Sequence, residues 1–325
     1  MKIGLPAALM HYYYYPLWEK LFQELGAEIV ISDATSGGIL SEGVKATVSE
    51  LCVPIKVYNA HILNLLDKDV DYCFVPRFVS LKGKEWYCPK FLGLPALVQY
   101  SIPDIQDKML VLDIEGNRED TCDVKNYLPL CDALSVTKQQ LKDALKTAQK
   151  HYEEFMEIVR QGHTIDEAHI IQKGGKINTA YKNSPITIGV LGYVYNVYDK
   201  FVSMDIINRL RKANINILTF EMLDEKDLHN QSTDEEKPLF WVFARKIYNA
   251  GKRLMKNKKV DGLIHVTAFA CGPDAVIGKL LEIESEKTGV PFMTIRVDEH
   301  SGESHIQTRI EAFTDMLIRK KGVSL

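Results

Sequence analysis

The sequence predicts an α/β protein made of two domains, each a doubly wound parallel sheet, with a cleft between them. Short β-rich runs alternate with helical patterns along the whole chain, which is typical of parallel strands joined by crossover helices. A strand that ends in a glycine turn opens the chain and recurs at 186–192. The 325 residues also exceed what one hydrophobic core usually organises, so two domains are expected.

The first domain is predicted over residues 1–135, and its order of elements follows from periodicity. A strand at 2–5 leads into a helix whose apolar face includes Leu17, Leu21 and Leu25, and Gly26 ends that helix. The elements expected after it are a strand at 28–32, helices at 38–50 and 54–66, and strands at 71–76 and 109–113. Together they make a βαβ-type sheet.

Residues 136–184 are predicted to connect the domains through a long helix with apolar residues from Leu141 to Val159 and a polar loop at 162–185. The second domain is predicted over 185–325. Its expected elements are strands at 186–192, 215–220, 260–267 and 290–297, and helices around Val202, Ile206 and Leu210, at 234–256, around Val276, Leu280 and Ile283, and around Ile306, Ile310, Phe313 and Leu317. Ligands of such sheets bind beyond the carboxyl ends of the strands.

Composition and charge exclude several classes of function. The formal net charge is −3 and no basic stripe is present, so nucleic acid is not an expected partner. No window of about 18 apolar residues exists, which argues against a membrane span, and the first residues lack the pattern of a secretory signal. These features predict a cytoplasmic protein. The absence of a phosphate-binding loop of the G-x-x-x-x-G-K-[ST] type predicts that the chain does not hydrolyse ATP itself.

Three of the six cysteines stand beside a proline: Cys52, Cys88 and Cys271. Proline suits the first turn of a helix, where backbone N–H groups and the helix dipole favour a thiolate, the form that binds metal. Because these cysteines are far apart in sequence, only the fold can assemble a shared site. The alternative is that they are ordinary core thiols. Cys73 lies inside a strand and is expected to be a core thiol, and Cys122 and Cys131 flank a loop.

Other polar residues lie at places where a ligand would bind. Tyr12 opens a run of four tyrosines after the first strand and is a candidate hydrogen-bond donor to a ligand or cluster, with packing as the alternative. Lys56 and Lys90 follow their cysteines closely and are candidates to neutralise a negative cofactor, with simple solvation as the alternative. His265, inside a strand, is expected to be a satisfied core histidine.

Six ordered motifs resemble a family named after the activase of 2-hydroxyacyl-CoA dehydratases. They are KIGLP at 2–6 with YYYYP at 12–16, CVPIK at 52–56, VPR at 75–77, CPKFLGLP at 88–95, CGPD at 271–274, and DEHSGE at 298–303 with TRIEAF at 308–313. This family is similar to the iron–sulfur subunits of 2-hydroxyacyl-CoA dehydratases and to double-cubane cluster proteins. The resemblance implies Rossmann-like (flavodoxin-like) domains.

The resemblance further implies that Cys52, Cys88 and Cys271 bind a 4Fe-4S cluster, with a double-cubane 8Fe-9S cluster as the alternative. It implies an ATP-dependent activase of the actin-like ATPase class as electron donor, a small-molecule substrate, and a homodimer or a pair with a sister subunit. A reductase or lyase activity similar to that of the dehydratases would follow, although the sequence identifies no catalytic residue. The alternatives are a non-catalytic carrier or assembly factor for iron–sulfur clusters, and a metal-free binding protein with core cysteines.

Overall fold

The computed structural model describes residues 1–81, 85–116, 121–229 and 239–323. The chain divides into two compact units, which are described separately. The N-terminal unit comprises Met1–Phe155 with Phe240–Val242, and the C-terminal unit comprises Met156–Leu239 with Phe243–Leu325. Each unit contains its own sheet of parallel strands with helices around it, which confirms the predicted fold class.

The N-terminal unit is built on four parallel strands in the order β2–β1–β3–β5, and a short β4 pairs antiparallel with the end of β3. The chain moves from β1 to β2 and then reverses direction across β1, which makes the sheet doubly wound. The elements are β1 (Lys2–Leu5), α1 (His11–Glu24), β2 (Glu28–Ile31), α2 (Gly37–Ala46), α3 (Val53–Leu66), β3 (Tyr72–Leu81), β4 (Glu85–Trp86), α4 (Pro89–Leu92), α5 (Leu94–Ser101), β5 (Met109–Glu115), α6 (Val124–Tyr127), α7 (Pro129–Ala133) and α8 (Lys138–Arg160).

Helices α2 and α3 pack so closely that only a glycine fits at their crossing. A Cβ placed on Gly43 would lie 2.1 Å from the backbone oxygen of Lys56. Since a backbone oxygen cannot rotate away as a side chain can, Gly43 is required for this approach. The tight crossing fixes the start of α3 relative to α2, and with it the connecting segment that leads to Cys52.

The C-terminal unit repeats the same sheet order with four parallel strands, β7–β6–β8–β9. Strand β8 is buried along its whole length, as expected for an inner strand covered on both faces. The elements are α9 (Ile165–Gln172), β6 (Thr187–Leu191), α10 (Val194–Tyr198), α11 (Ile206–Lys212), β7 (Asn216–Leu218), α12 (Glu225–His229), α13 (Val242–Lys256), β8 (Gly262–Ala268), α14 (Gly272–Thr288), β9 (Phe292–Val297) and α15 (Glu303–Lys321).

Two sequence predictions in this unit are wrong in detail. The expected loop at 162–185 contains helix α9, which begins at a capping box in which the amide of Thr164 donates to Glu167 at 2.8 Å and the amide of Glu167 donates to the Thr164 hydroxyl. The face predicted for α14 is also wrong, because Val276 and Ile283 are exposed whereas Ile277 and Leu281 are buried. Residues 234–238 of the predicted helix 234–256 lie outside the described residues, and α13 begins at Val242.

Candidate functional site

Cys52 and Cys88 each occupy the N-cap position of a helix in the N-terminal unit. Cys52 precedes α3 and Cys88 precedes α4, and proline stands in the first turn of both helices. A helix that returns toward the start of the next parallel strand runs antiparallel to the strands, so α3 begins at the carboxyl edge of the sheet. Cys88 follows the short hairpin at the end of β3 and belongs to the same edge.

The charge of Cys88 acts on the Cys52 thiol, and the ammonium of Lys90 acts on both thiols. Burial raises the pKa of Cys52; the amide of Ile55 opposes this effect, the charge of Cys88 adds to it, and the Lys90 ammonium lowers it again. Burial also raises the pKa of Cys88. The backbone amides of Lys90 and Phe91 and the charge of Lys90 lower it, but by less. At Cys52 and Cys88, desolvation therefore outweighs the helix N–H groups and the lysine, and the pKa of both thiols lies above its usual value in the metal-free protein.

Of the two lysines predicted to meet a cofactor, Lys90 is the one whose charge acts on both thiols. Lys56 is 1% exposed, so it is not a solvated lysine, and its ammonium donates to the backbone oxygen of Ser49 at 3.0 Å. Lys56 thereby ties the segment before Cys52 to helix α3. Tyr12 is half-buried in the first turn of α1, where its ring meets that of His11 edge to face. Binding of a cofactor by these three residues stays a prediction.

Cys271 occupies the corresponding place in the C-terminal unit. It is the N-cap of α14, the first helix after β8, just as Cys88 caps the first helix after β3. The residue before it, Ala270, has a φ of 63°, a left-handed conformation that non-glycine residues seldom adopt. The turn therefore places the cysteine at the carboxyl edge of the sheet at some conformational cost.

A cavity of about 320 Å³ opens beside Cys271. Strands β8 and β9 provide one wall through His265, Thr267, Thr294 and Arg296, and the first turns of α14 provide the other. This volume is within the range of small-molecule sites. The cavity runs along β8 and β9 and reaches the carboxyl end of β8, the edge at which doubly wound sheets bind ligands.

A buried histidine and a buried aspartate form one end of the cavity. Nε2 of His265 lies 2.9 Å from Oδ1 of Asp274, and both side chains are 0% exposed. Nδ1 of His265 and Oδ2 of Asp274 have no hydrogen-bond partner among the described residues. His265 therefore lies in the core, as predicted, but only one of its two ring nitrogens is satisfied. Sequence reasoning missed Asp274 except as a helix-terminal acid, because nothing in the sequence reveals that it faces His265.

The remaining cysteines differ from these three. Cys73 is fully buried in β3, and burial raises its pKa to about 11, as expected of a core thiol. Cys122 and Cys131 are half-buried near α6 and α7. Within the described ranges, no three His, Cys, Asp or Glu side chains lie close enough together to hold a metal ion. The donor set fits an iron–sulfur cluster in its chemistry, since soft thiols capped by helix N-termini near a lysine suit thiolate ligation.

The fold and the site define a two-unit α/β protein with proline-flanked cysteines at the carboxyl edges of both sheets. The chain belongs to the family described as "CoA enzyme activase uncharacterised domain", which it matches over residues 2–223, the segment that contains Cys52 and Cys88. Residues 205–317, which contain Cys271, match the family described as "2-hydroxyglutaryl-CoA dehydratase, D-component". The predicted dehydratase-related, activase-associated family is thus confirmed.

Other comparisons add little. No curated protein matches the sequence. A D-lactate dehydrogenase from Sporolactobacillus sp. is similar at 8% identity over 100% of this chain and 98% of that chain, with a TM-score of 0.15, too low to carry an argument about fold. No helix among the described residues is long and apolar enough to cross a membrane.

Proposed function

We propose that this protein is an iron–sulfur redox protein that works like a dehydratase component, accepting electrons from an ATP-dependent activase and acting on a small molecule. The observation that carries the proposal is the paired setting of Cys52 and Cys88. Both are N-cap residues, both are half-buried, and the charge of Lys90 lowers the pKa of both thiols against the effect of burial. Core thiols without a role have no need of this shared setting.

The ligands of the cluster would be Cys52, Cys88 and Cys271. Cys271 has the same N-cap position in its own unit, and the family matches cover all three cysteines. When bound, a 4Fe-4S cluster supplies one-electron chemistry and, with three protein ligands, an iron open to substrate. The raised pKa values of Cys52 and Cys88 mean that cluster binding must release protons from these thiols.

Each neighbouring residue would have a definite task in this site. The Lys90 ammonium offsets the negative charge of the thiolates and the cluster, and backbone amides of Ile55 and Phe91 point toward the sulfur atoms. Lys56 holds the segment before Cys52 in place through Ser49. Tyr12 is proposed to donate a hydrogen bond at the same edge of the sheet.

The partner would be an activase of the actin-like ATPase class, and the protein would form a homodimer or pair with a sister subunit. The family description and the dehydratase match support the activase as partner. A separate ATPase is physically reasonable because a cluster of low potential is not reduced by ordinary carriers, whereas a nucleotide-driven conformational change can shift that balance.

The decisive experiment measures iron and acid-labile sulfide per chain after purification without oxygen. We expect about four of each per chain for a single cubane, and about eight irons for a double cubane. The Cys52→Ala, Cys88→Ala, Cys271→Ala triple variant should lose them. The matched control is Cys122→Ala with Cys131→Ala, which removes two half-buried thiols of the N-terminal unit and should keep the cluster.

Protein that stays free of iron after anaerobic reconstitution with iron and sulfide would rule out the redox function. If the triple variant retains iron and the control variant loses it, Cys122 and Cys131 rather than the three proline-flanked cysteines would be the ligands. If a cluster forms, its rapid transfer to an apo-acceptor protein would favour a carrier, whereas retention during electron transfer would favour the redox protein.

A further inference from the structure

Helix α14 begins without the side-chain bonds of a capping box. Its N-cap, Cys271, forms no side-chain cap bond, and the amide of Cys271 donates to the backbone oxygen of Ala268 at 3.2 Å. The third residue of the helix is Asp274, the position from which an acid reaches back to the N-cap in a capping box, as Glu167 does at α9. Oδ1 of Asp274 lies instead 2.9 Å from Nε2 of His265 in strand β8.

The contact between His265 and Asp274 ties the first turn of α14 to the middle of the sheet. Both side chains are 0% exposed, and β8 is an inner strand paired with β6 and β9, so the backbone of His265 is held on both sides. One turn further along the helix, a Cβ on Gly278 would lie 3.0 Å from Nδ1 of His265, so α14 packs directly on the ring. A slide or rotation of α14 along the sheet would therefore break the contact with Asp274.

The thiol of Cys271 depends on this turn for its position. Cys271 caps the turn that contains Asp274, and it is half-buried in the wall of the cavity rather than enclosed in the core. The residue before it, Ala270, has a φ of 63°, which is a costly conformation for a residue with a Cβ and persists only where the surroundings enforce it. The chain on that side of Cys271 therefore needs an anchor, and the buried contact provides one.

We propose that Asp274 and His265 are positioning residues for Cys271. Their contact holds the first turn of α14 against β8, so that the thiol keeps one place and the amides of that turn, which no N-cap oxygen occupies, face its sulfur. Neither side chain would touch a cofactor or a substrate, because both are fully buried. The use of Cys271 as a cluster ligand rests on the proposed function, whereas the positioning of its thiol does not.

The position of the thiol is measured as the alkylation rate of Cys271 in the iron-free, full-length protein, with each cysteine resolved by mass spectrometry. Asp274→Ala should raise this rate about tenfold, because one lost buried hydrogen bond lets the turn open and expose the thiol. Asp274→Asn keeps an oxygen that accepts from His265 and should restore most of the wild-type rate. The rates of Cys52 and Cys88, which belong to the other unit, should not change.

Glu284→Ala is the matched control. Glu284 is also a buried acid of α14, but it lies beyond the first turn and accepts a hydrogen bond from Lys287 at 2.9 Å. This variant should lower the thermal midpoint and leave the alkylation of Cys271 unchanged. Rates that rise in Asp274→Ala and Glu284→Ala alike, in proportion to the lost stability, would make the contact merely structural and overturn the proposal. If Asp274→Ala does not fold, His265→Asn, whose side chain is too short to reach Asp274, takes its place.

Protein reconstituted with iron and sulfide gives an independent measurement. Asp274→Ala should change the electron paramagnetic resonance spectrum of the reduced cluster, and Asp274→Asn should restore it. A wild type that takes up no iron, while Asp274→Ala still speeds the alkylation of Cys271, would defeat the redox function and leave the positioning role intact. A cluster with an unchanged spectrum in Asp274→Ala, together with an unchanged alkylation rate, would do the reverse.

Discussion

The two units share one strand order but use their buried histidines differently. In the N-terminal unit, Nδ1 of His61 lies 2.7 Å from the Ser32 hydroxyl and Nε2 lies 3.0 Å from the Thr35 hydroxyl. In the C-terminal unit, one nitrogen of His265 meets Asp274 and the other has no partner among the described residues. Both nitrogens of His61 are thus satisfied by hydroxyl groups, whereas His265 keeps one buried nitrogen unsatisfied, which is costly in free energy.

The same contrast extends to the carboxyl edges. The N-terminal edge carries two half-buried thiols and a lysine, which suit a soft metal centre. The C-terminal edge carries one cysteine beside a polar cavity, which suits an organic ligand. The comparison indicates that the repeated fold carries different chemistry at its two carboxyl edges, with two thiols and a lysine on one and a single cysteine beside a cavity on the other.

The largest expected effect separates the two histidine networks. Asp274→Ala should lower the free energy of unfolding by about 3 kcal/mol, because it leaves Nε2 of the buried His265 without its hydrogen-bond partner. Ser32→Ala removes neutral hydrogen bonds to His61 and to the amide of Ala7 and should cost about 2 kcal/mol. Urea unfolding of both variants at pH 7 measures the difference, and equal losses would contradict the contrast.

The pH dependence of the N-terminal unit should be governed by His61. Burial lowers its pKa from 6.5 to about 4, so as the pH falls the unfolded chain takes up this proton at a higher pH than the folded protein does. The contribution of neutral His61 is present above pH 6.5 and is lost as the pH falls toward 4, by about 3 kcal/mol in all. The stability advantage of the wild type over His61→Gln should shrink by this amount between pH 7.5 and 4 in urea titrations. A constant gap would show that His61 titrates normally.

Glu221 should give the C-terminal unit the opposite dependence. Burial raises its pKa from 4.5 to about 7, against opposing hydrogen bonds that include those with Thr219 and Tyr198. The folded state therefore binds this proton more tightly, and the contribution is full below pH 4.5 and lost as the pH rises through 7, again by about 3 kcal/mol. Glu221→Gln should raise the thermal midpoint at pH 8 and do so much less at pH 5. A gain of equal size at both pH values would refute the shift.

Two glycines test how rigidly each unit is packed. Gly43→Ala should cost about 3 kcal/mol, since the new Cβ would meet the backbone oxygen of Lys56. Gly251→Ala in α13 should cost only about 1 kcal/mol, because the Cβ would meet flexible side-chain atoms of Leu281 and Leu191. Chemical unfolding of both variants gives the comparison, and the reverse order would show that α2 and α3 can separate easily.

The smallest effect in free energy concerns the two lysines beside the cysteines. Lys90→Gln should raise the pKa of Cys52 and Cys88, seen as a shift of alkylation to higher pH in metal-free protein, with little change in stability. Lys56→Gln serves as the matched variant and should instead cost about 1 kcal/mol by breaking the bond to Ser49. An alkylation profile that moves only in Lys56→Gln would reverse the two assignments.

Much of the fold follows from local pattern. The strands that open each sheet, the long helix α8 and the apolar face of α15 were all predictable, because periodicity records which side of an element faces the core. Helix α9 was missed because its capping box sits in a stretch rich in glycine and lysine. The face of α14 was missed because Val276 and Ile283 are apolar yet exposed, and periodicity counts apolar residues without regard to what covers them.

The sequence by itself determined the class of the fold, the family, and the three cysteines flanked by proline, since these depend on local propensity and on motifs. Only the tertiary structure decided that Cys52 and Cys88 share Lys90, that Lys56 is buried against Ser49, and that His265 meets Asp274. The burial of a side chain and its ion pairs or hydrogen bonds arise from contacts between segments distant in sequence, and both shift the pKa of a titratable side chain. No pattern along the chain records these contacts.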